Sequence, residues 1–433
     1  SMSEPSGHRT KRLTNFPQTT SSTILPSHTP GLYIHVPFCS RVCPYCDFAV
    51  QTGGPEKQFA YVDSLVQEIR GWGAEVGEQG SVLGALARET DQSAPGWSCM
   101  EPFDSVYLGG GTPSSLTLDA LETVFSALSG AFQLAADRTV TLEANPEDVT
   151  KANLAAWRDL GINRLSLGVQ SFDDDALCLL GRRHTSKDAI SAVRAALAID
   201  FDVVSLDLIY SVPGQSADSW LSTLEQAVGL EPHHISCYEL TVHEATPFFS
   251  ARKHGQLVEV DEDTKADLFF VTHRFLAEAG YFAYEVSNFS REVASRSRHN
   301  QKYWDHSPYL GFGPSAHSFD GGSVRWWNER GLDDWADGLD EGRLPIADTE
   351  LLTREQLILE EVALNLRTMA GLDFEGIERR FGVDLESLNI EVIKDLRKSG
   401  LVEADAAAKR LVPTLEGLAV ADTLAASLEI TSS

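Results

Sequence analysis

Three of the chain's six cysteines stand within eight residues, at Cys39, Cys43 and Cys46 in the stretch FCSRVCPYCDF. Thiolates at this C-x3-C-x2-C spacing can grasp a metal centre from one short loop. A structural zinc site asks for four ligands, commonly as two separated pairs. A cubane iron–sulfur cluster also takes four ligands, so three protein thiolates leave one iron open to an exogenous ligand. A Cys3His zinc site completed by His35 or another histidine is the alternative. The other cysteines, Cys99, Cys178 and Cys237, stand alone and read as small buried hydrophobes. Clustered thiols in an intracellular chain point to metal or redox chemistry rather than to cross-links.

The elements around the thiols repeat. Strand-like GLYIHV (Gly31–Val36) runs directly into the cysteine loop. The segment FAYVDSLVQEIRGW then places Phe59, Val62, Leu65, Val66 and Ile69 on one helical face. From Phe103 to Val242 strands and helices alternate: SVYLGG, TVTLEANP, INRLSLGVQS, VVSLDLIYSVPG and HHISCYELTV are strand-like, with amphipathic helices between them. Counting GLYIHV, six strands alternate with helices, which implies a parallel sheet covered by helices. Six units fall short of the closed eight-fold barrel, so the expectation is α/β, a partial (β/α)6 barrel. Chemistry in such folds sits at the carboxyl ends of the strands. Polar residues recur there: GGGTP at Gly109–Pro113, Glu143 and Asn145, Gln170 and Ser171, Asp207, and Tyr238 with Glu239.

Composition sets outer limits. With 433 residues, 42% hydrophobic and 23% charged, the chain suits a globular protein of two or three units. The 63 acidic and 35 basic side chains give a net charge of −28, whose field repels nucleic acid and anionic membrane. No stretch approaches the roughly 18 uncharged apolar residues of a membrane span. Contact with a membrane is expected only through a partner, and the expected location is cytoplasmic, with an organellar transit peptide left open.

Residues 1–29 are expected to form a disordered tail, 30–290 the barrel, with a surface insertion at 73–101, and 291–350 a connecting segment. Residues 351–433 read as a small helical, winged-helix-like domain. From Glu350 onward acidic residues outnumber basic ones 16 to 9, which disfavours DNA binding by that unit.

C-x3-C-x2-C after the first strand of a six-unit βα chain, with GGGTP one unit later, resembles the radical S-adenosylmethionine (SAM) superfamily. In that family the cluster's open iron binds the amino and carboxylate groups of SAM. The words YIHVPFC, GGGTPSSL, LEANPED, LGVQSF, LLGRRH, DLIYSVPGQ and GFGPSAHSF resemble the oxygen-independent coproporphyrinogen oxidase group. By that resemblance Tyr33, Tyr45, Gly110, Gly111, Thr112, Glu143, Gln170, Arg182, Asp207 and His317 match SAM-contacting positions. Glu143 suits an ammonium, Asp207 or Gln170 ribose hydroxyls, and Arg182 a carboxylate.

Two marks of the oxidases are missing: a fourth cysteine, where Phe48 stands, and an N-terminal arm with Tyr-Thr-Ser-Tyr-Pro. CPYCDF together with RHNQKYW (Arg298–Trp304) is instead similar to the HemW-type haem chaperones. That resemblance implies a 4Fe-4S cluster, SAM and haem as cofactors, with His299 the haem ligand, His306 a second candidate and Arg298 a propionate partner. It also implies a haem-accepting protein such as a respiratory enzyme, and an electron donor to the cluster. An oxygen-independent oxidase, or a radical SAM methyltransferase on an aromatic substrate, is the alternative.

Overall fold

A computed structural model describes residues 29–77, 102–405 and 409–431. Six strands cross its main sheet in chain order: β1 (Gly31–Val36), β2 (Phe103–Gly110), β3 (Leu134–Ala144), β4 (Arg164–Gln170), β5 (Val203–Tyr210) and β6 (His234–Glu239). Each neighbouring pair is parallel. Strands laid down one after another in a single direction, through right-handed crossovers, put all their helices on one face. The helices Pro55–Gly77, Leu118–Ala131, Lys151–Asp159, Ser186–Leu197 and Ala217–Gly229 occupy that layer. Their starts are defined locally where a side chain closes the first turn: Thr117, Thr150, Thr185 and Ser216 each accept from a backbone N–H three residues on.

Because side chains alternate across a strand, each strand shows two different faces. Leu32, Ile34, Val106, Leu108, Leu142, Leu165, Leu167, Val204, Leu206 and Ile235 join the helices in one apolar core. The other face carries Tyr33, His35, Ser105, Tyr107, Thr141, Glu143, Arg164, Ser166, Ser205, Asp207, His234 and Ser236. A polar lining of this density stays buried only when its groups are paired or serve a ligand.

The sheet continues past both ends of the six. β9 (Tyr309–Phe312) lies parallel to β1, and antiparallel β10 (His317–Phe319), β11 (Val324–Asn328) and β12 (Ile346–Leu351) follow. On the other side β8 (Asn288–Ser290) and β7 (Phe282–Ala283) add to β6. The sheet of twelve strands thus ends at β12 and β7 and does not close. Residues 291–350, expected as a connection, supply four of its strands.

The C-terminal part has its own core around Ile358, Val362, Leu372, Ile377 and Leu411. Helices such as Arg354–Asn365, Phe374–Phe381 and Ile390–Lys398 pack on a small antiparallel sheet of β13 (Leu372–Asp373), β14 (Val402–Asp405) and β15 (Arg410–Pro413). Backbone bonds Val286 N–H to Arg367 O (3.0 Å) and Met369 N–H to Tyr284 O (3.1 Å) tie it to the segment joining β7 and β8.

Some local expectations need revision. Val62, Leu65, Val66 and Ile69 are buried, but Phe59 is 57% exposed at the edge of their helical face, and Tyr61 and Trp72 are buried instead. Cys237 is buried, whereas Cys178 is exposed. The helix expected to end near Gly73 reaches Gly77, and the rest of the proposed insertion, with Cys99, lies outside the described residues, as does the tail up to residue 28. No helix among the described residues is long and apolar enough to cross a membrane.

Candidate functional site

The cysteine loop leaves the carboxyl end of β1 and is clamped at its neck. Phe38 and Gln51 pair in a β-bridge, with Cys39 N–H donating to Gln51 O at 3.0 Å and Gln51 N–H to Pro37 O at 2.8 Å. The glycine run after β2 docks on the same neck: Gly111 N–H donates to Val36 O (2.8 Å) and Thr112 N–H to Phe38 O (2.7 Å). No larger residue fits. A Cβ on Gly111 would lie 2.6 Å from Phe38 O, and one on Gly110, whose φ is +102°, 2.5 Å from the His35 ring.

Polar side chains then join two of the thiols. Thr112 Oγ1 donates to Cys39 Sγ at 3.6 Å, and Asn145 Nδ2 donates to Thr112 Oγ1 at 3.2 Å. Arg182 donates to Asn145 Oδ1, to Gly168 O (3.0 Å) and to Cys43 Sγ (3.6 Å). The path Cys39–Thr112–Asn145–Arg182–Cys43 is continuous. A guanidinium and a hydroxyl aimed at sulfur are what anionic thiolates need when partly removed from water. Burial, with repulsion from the neighbouring thiols, pushes the Cys39 thiol up and the Cys46 thiol up to about 11, a shift that a bound positive metal centre would oppose. Between them Tyr45 packs on Phe248, with ring centroids 6.2 Å apart.

The donor set, three thiols from one short loop, suits a cluster that takes three protein ligands. Among the described residues no three histidine, cysteine or carboxylate side chains converge closely enough to hold one metal. A four-iron cube spreads its thiolates more widely than a mononuclear site does. His35, the candidate fourth zinc ligand, has Nε2 hydrogen-bonded with Ala49 O (2.9 Å) and Nδ1 with Tyr33 OH (3.3 Å). Cys39, Cys43 and Cys46 therefore fit an iron–sulfur cluster, with the glycine cradle beside them.

Glu143 faces that cradle. Tyr107 OH donates to its Oε1 at 2.7 Å and Gly110 N–H to its Oε2 at 3.2 Å. Burial raises its carboxyl to about 7, with repulsion from Asp207 adding to the rise and the Tyr107 bond opposing it. Asp207 lies further along the polar face, raised by burial and accepting from Ser166 Oγ at 2.8 Å. Gln170 ends β4 at φ +66°, a strained conformation for a side chain of this kind, where the pairing with β5 slips register.

Tyr33 and His317 occupy a neighbouring compartment. They line a cavity of about 340 Å³ with Phe48, Tyr303 and Tyr309, on the Asp47–Ala49 side of the loop. His317 stacks on Trp327 at 5.6 Å. His299 lies deeper still and is 2% exposed. Its Nδ1 is hydrogen-bonded with Ser105 Oγ (3.0 Å) and its Nε2 with Tyr303 OH (3.0 Å), and burial with the nearby Lys302 lowers its pKa to about 3. Both ring nitrogens are engaged, so ligation of an iron there requires release of one bond. His306 sits in a different cavity, 3.5 Å from Glu360 of the C-terminal part. Sequence reasoning placed Asn145 at a strand end without a role and passed over Tyr107; the signal for both is the inward register they share with Glu143, directly or across the β2–β3 pairing.

Residues 98–227 match the Radical SAM superfamily, and residues 352–420 match the HemN C-terminal domain. The chain shares its fold with a structure described as "Coproporphyrinogen III oxidase (HemN) from Escherichia coli is a Radical SAM enzyme", at a TM-score of 0.73 and 24% identity, covering 93% of this chain and 90% of that one. Fold and thiol loop together define a radical SAM protein carrying a HemN-type C-terminal domain.

"Heme chaperone HemW" of Bacillus subtilis is 31% identical over 371 residues, 86% of this chain and 92% of its own length. HemW of Mycobacterium tuberculosis (strain H37Rv) is 35% identical over 352 residues, 80% and 84% of the two chains. "Radical S-adenosyl methionine domain-containing protein 1, mitochondrial" of Bos taurus is 33% identical over 419 residues, 93% and 88%. The chain belongs to the HemW family of the radical SAM superfamily. Membership of that superfamily implies a 4Fe-4S cluster and SAM.

Proposed function

We propose that this chain is a haem chaperone of the cytoplasm. It holds a 4Fe-4S cluster through Cys39, Cys43 and Cys46, binds SAM beside it, and carries haem to an acceptor protein, with respiratory enzymes the acceptor class and a separate electron donor serving the cluster. The observation that carries the cofactor part is the hydrogen-bonded path from Cys39 through Thr112, Asn145 and Arg182 to Cys43. When bound, such a cluster supplies a Lewis-acidic iron and an electron for SAM.

The chain's own groups then divide the work. Arg182 offsets thiolate charge and offers its remaining donor capacity to a carboxylate. Glu143, ionised, receives an ammonium against the glycine cradle, and Asp207 offers a carboxylate to ribose hydroxyls. The thiol that oxidases carry at position 48 is replaced by Phe48, 63% exposed on the wall of the Tyr33–His317 cavity. An exposed aromatic there suits contact with a flat apolar ligand better than a further metal ligand.

Haem delivery is tested by optical titration of haem into the cluster-loaded full chain and its His299→Ala variant. Saturable uptake by the native protein, weakened about tenfold or more in the variant, is expected for loss of an axial ligand. Equal uptake by both removes His299 from the haem site, and failure of the native protein to saturate removes haem carriage. Anaerobic decarboxylation of coproporphyrinogen by the same preparation would replace the chaperone with an oxidase.

A further inference from the structure

The barrel has a second mouth. At the end opposite the cysteine loop, the starts of β3, β4 and β5 and the residue before β6 open on a cavity of about 810 Å³. Arg164, Arg291, Arg296 and Arg298 all line it. The acidic residues of the lining, Asp137, Asp202 and Glu292, do not neutralise its depth. Asp202 and Glu292 are exposed, and the Asp137 side chain is 81% exposed. The interior of this cavity is positive in a chain whose net charge is −28.

The four guanidiniums are not equivalent. Arg291 pairs with Glu231 at 3.7 Å, and Arg298 pairs with Asp137 at 3.6 Å while donating to Asp137 O at 3.0 Å. Those two are accounted for as rim pairs. Arg164 is 2% exposed and donates to Ser295 O at 2.7 Å, yet forms no ion pair among the described residues. Asp207, the carboxylate whose charge reaches it along the polar side of the sheet, attracts it without a hydrogen bond and accepts from Ser166. Arg296 likewise forms no ion pair among the described residues. Its Nε is buried with no hydrogen-bond partner, and its guanidinium lies over the Tyr284 ring at 5.3 Å. Leaving the buried Arg296 Nε without a partner is costly, and a fold that keeps it and the Arg164 guanidinium, which lacks an ion pair, beside a cavity gains if an anion enters.

We propose that this lower mouth is a second ligand site, which takes a small oxyanion, a carboxylate or phosphate group, on the guanidiniums of Arg164 and Arg296. The planar fork of each matches either anion in a bidentate manner. Polyanions such as nucleic acid are repelled by the surrounding charge before they reach it. The site lies at the opposite end of the strands from the thiols, and its rim residue Arg298 is the propionate partner that the haem resemblance implies, which is why a porphyrin is among the probes.

The test is calorimetric titration of the full chain, in chloride buffer, with inorganic phosphate, succinate and metal-free mesoporphyrin. Native protein should bind at least one probe saturably, and Arg296→Gln should weaken that binding about tenfold, the loss of one charge-assisted pair. Arg296→Lys keeps the charge without the fork and should fall between them. Phosphate alone assigns a phosphate group, succinate a free carboxylate, and mesoporphyrin alone the propionates of a tetrapyrrole. If no probe saturates the native protein, or if both variants bind as it does, the site does not exist.

Discussion

Arg182 and Glu143 are the single residues on which the proposed binding of an amino-acid ligand turns. Arg182 spans from a thiol to the Asn145 amide and the Gly168 carbonyl, so its position fixes three elements at once. Glu143 is held with its carboxyl raised to about 7 by burial. The sign follows: well below pH 7 the group is neutral and offers an ammonium no countercharge, and above it the carboxylate does. SAM affinity of the cluster-loaded protein should therefore rise as pH passes upward through 7. Glu143→Gln should bind about tenfold or more weakly and lose that step, which equilibrium binding on either side of pH 7 measures. An unchanged pH profile in the variant would remove Glu143 from ammonium recognition. The thiols, GGGTP and Glu143 are legible in the sequence because their chemistry is written within short words. Asn145 is visible there only as a polar strand end; its role depends on Arg182, 37 residues away, and no local pattern records that contact.

At the scale of elements, the six parallel strands are legible because five of them are each followed by an amphipathic helix, and two periodicities in alternation leave few topologies. The antiparallel margin from β9 to β12 is not. Its strands are three to six residues long, and their pairing partners are set by register rather than by hydrophobic pattern. Beside the β9–β1 pairing, a buried carboxylate on the first helix helps hold that margin to the barrel. Glu68 is fully buried and accepts from Gly313 N–H (2.8 Å), Trp335 Nε1–H (3.1 Å) and the Asn328 amide (2.5 Å). Burial pushes its carboxyl up to about 8 against the pull of those three donors. Glu68→Ala would leave Gly313 N–H and Trp335 Nε1–H unsatisfied in the core, while Asn328 keeps its bond to Gly313 O (2.9 Å). A loss of about 3 kcal/mol in unfolding free energy is expected, read from the urea midpoint at constant slope. A change within about 0.5 kcal/mol would show that the margin is held by its apolar contacts alone.

Across the whole molecule, a chain of net charge −28 builds a sheet whose inner face is polar from one end to the other. The thiol loop stands at one end and the arginine cavity at the other. The C-terminal part folds around its own core and reaches the barrel through the bonds at Tyr284 and Val286 and the Arg325–Glu360 pair, 2.8 Å apart. The proposed function asks the barrel to keep its cofactor chemistry while a separate surface meets a partner. Its central requirement is the metal centre on Cys39, Cys43 and Cys46. Iron, zinc and acid-labile sulfide analysis of the anaerobically reconstituted full chain, with its spin-resonance spectrum before and after SAM, is the most direct test. About four irons and four sulfides per chain, with a reduced signal that shifts on SAM addition, are predicted. One tightly held zinc per chain without sulfide would contradict the account.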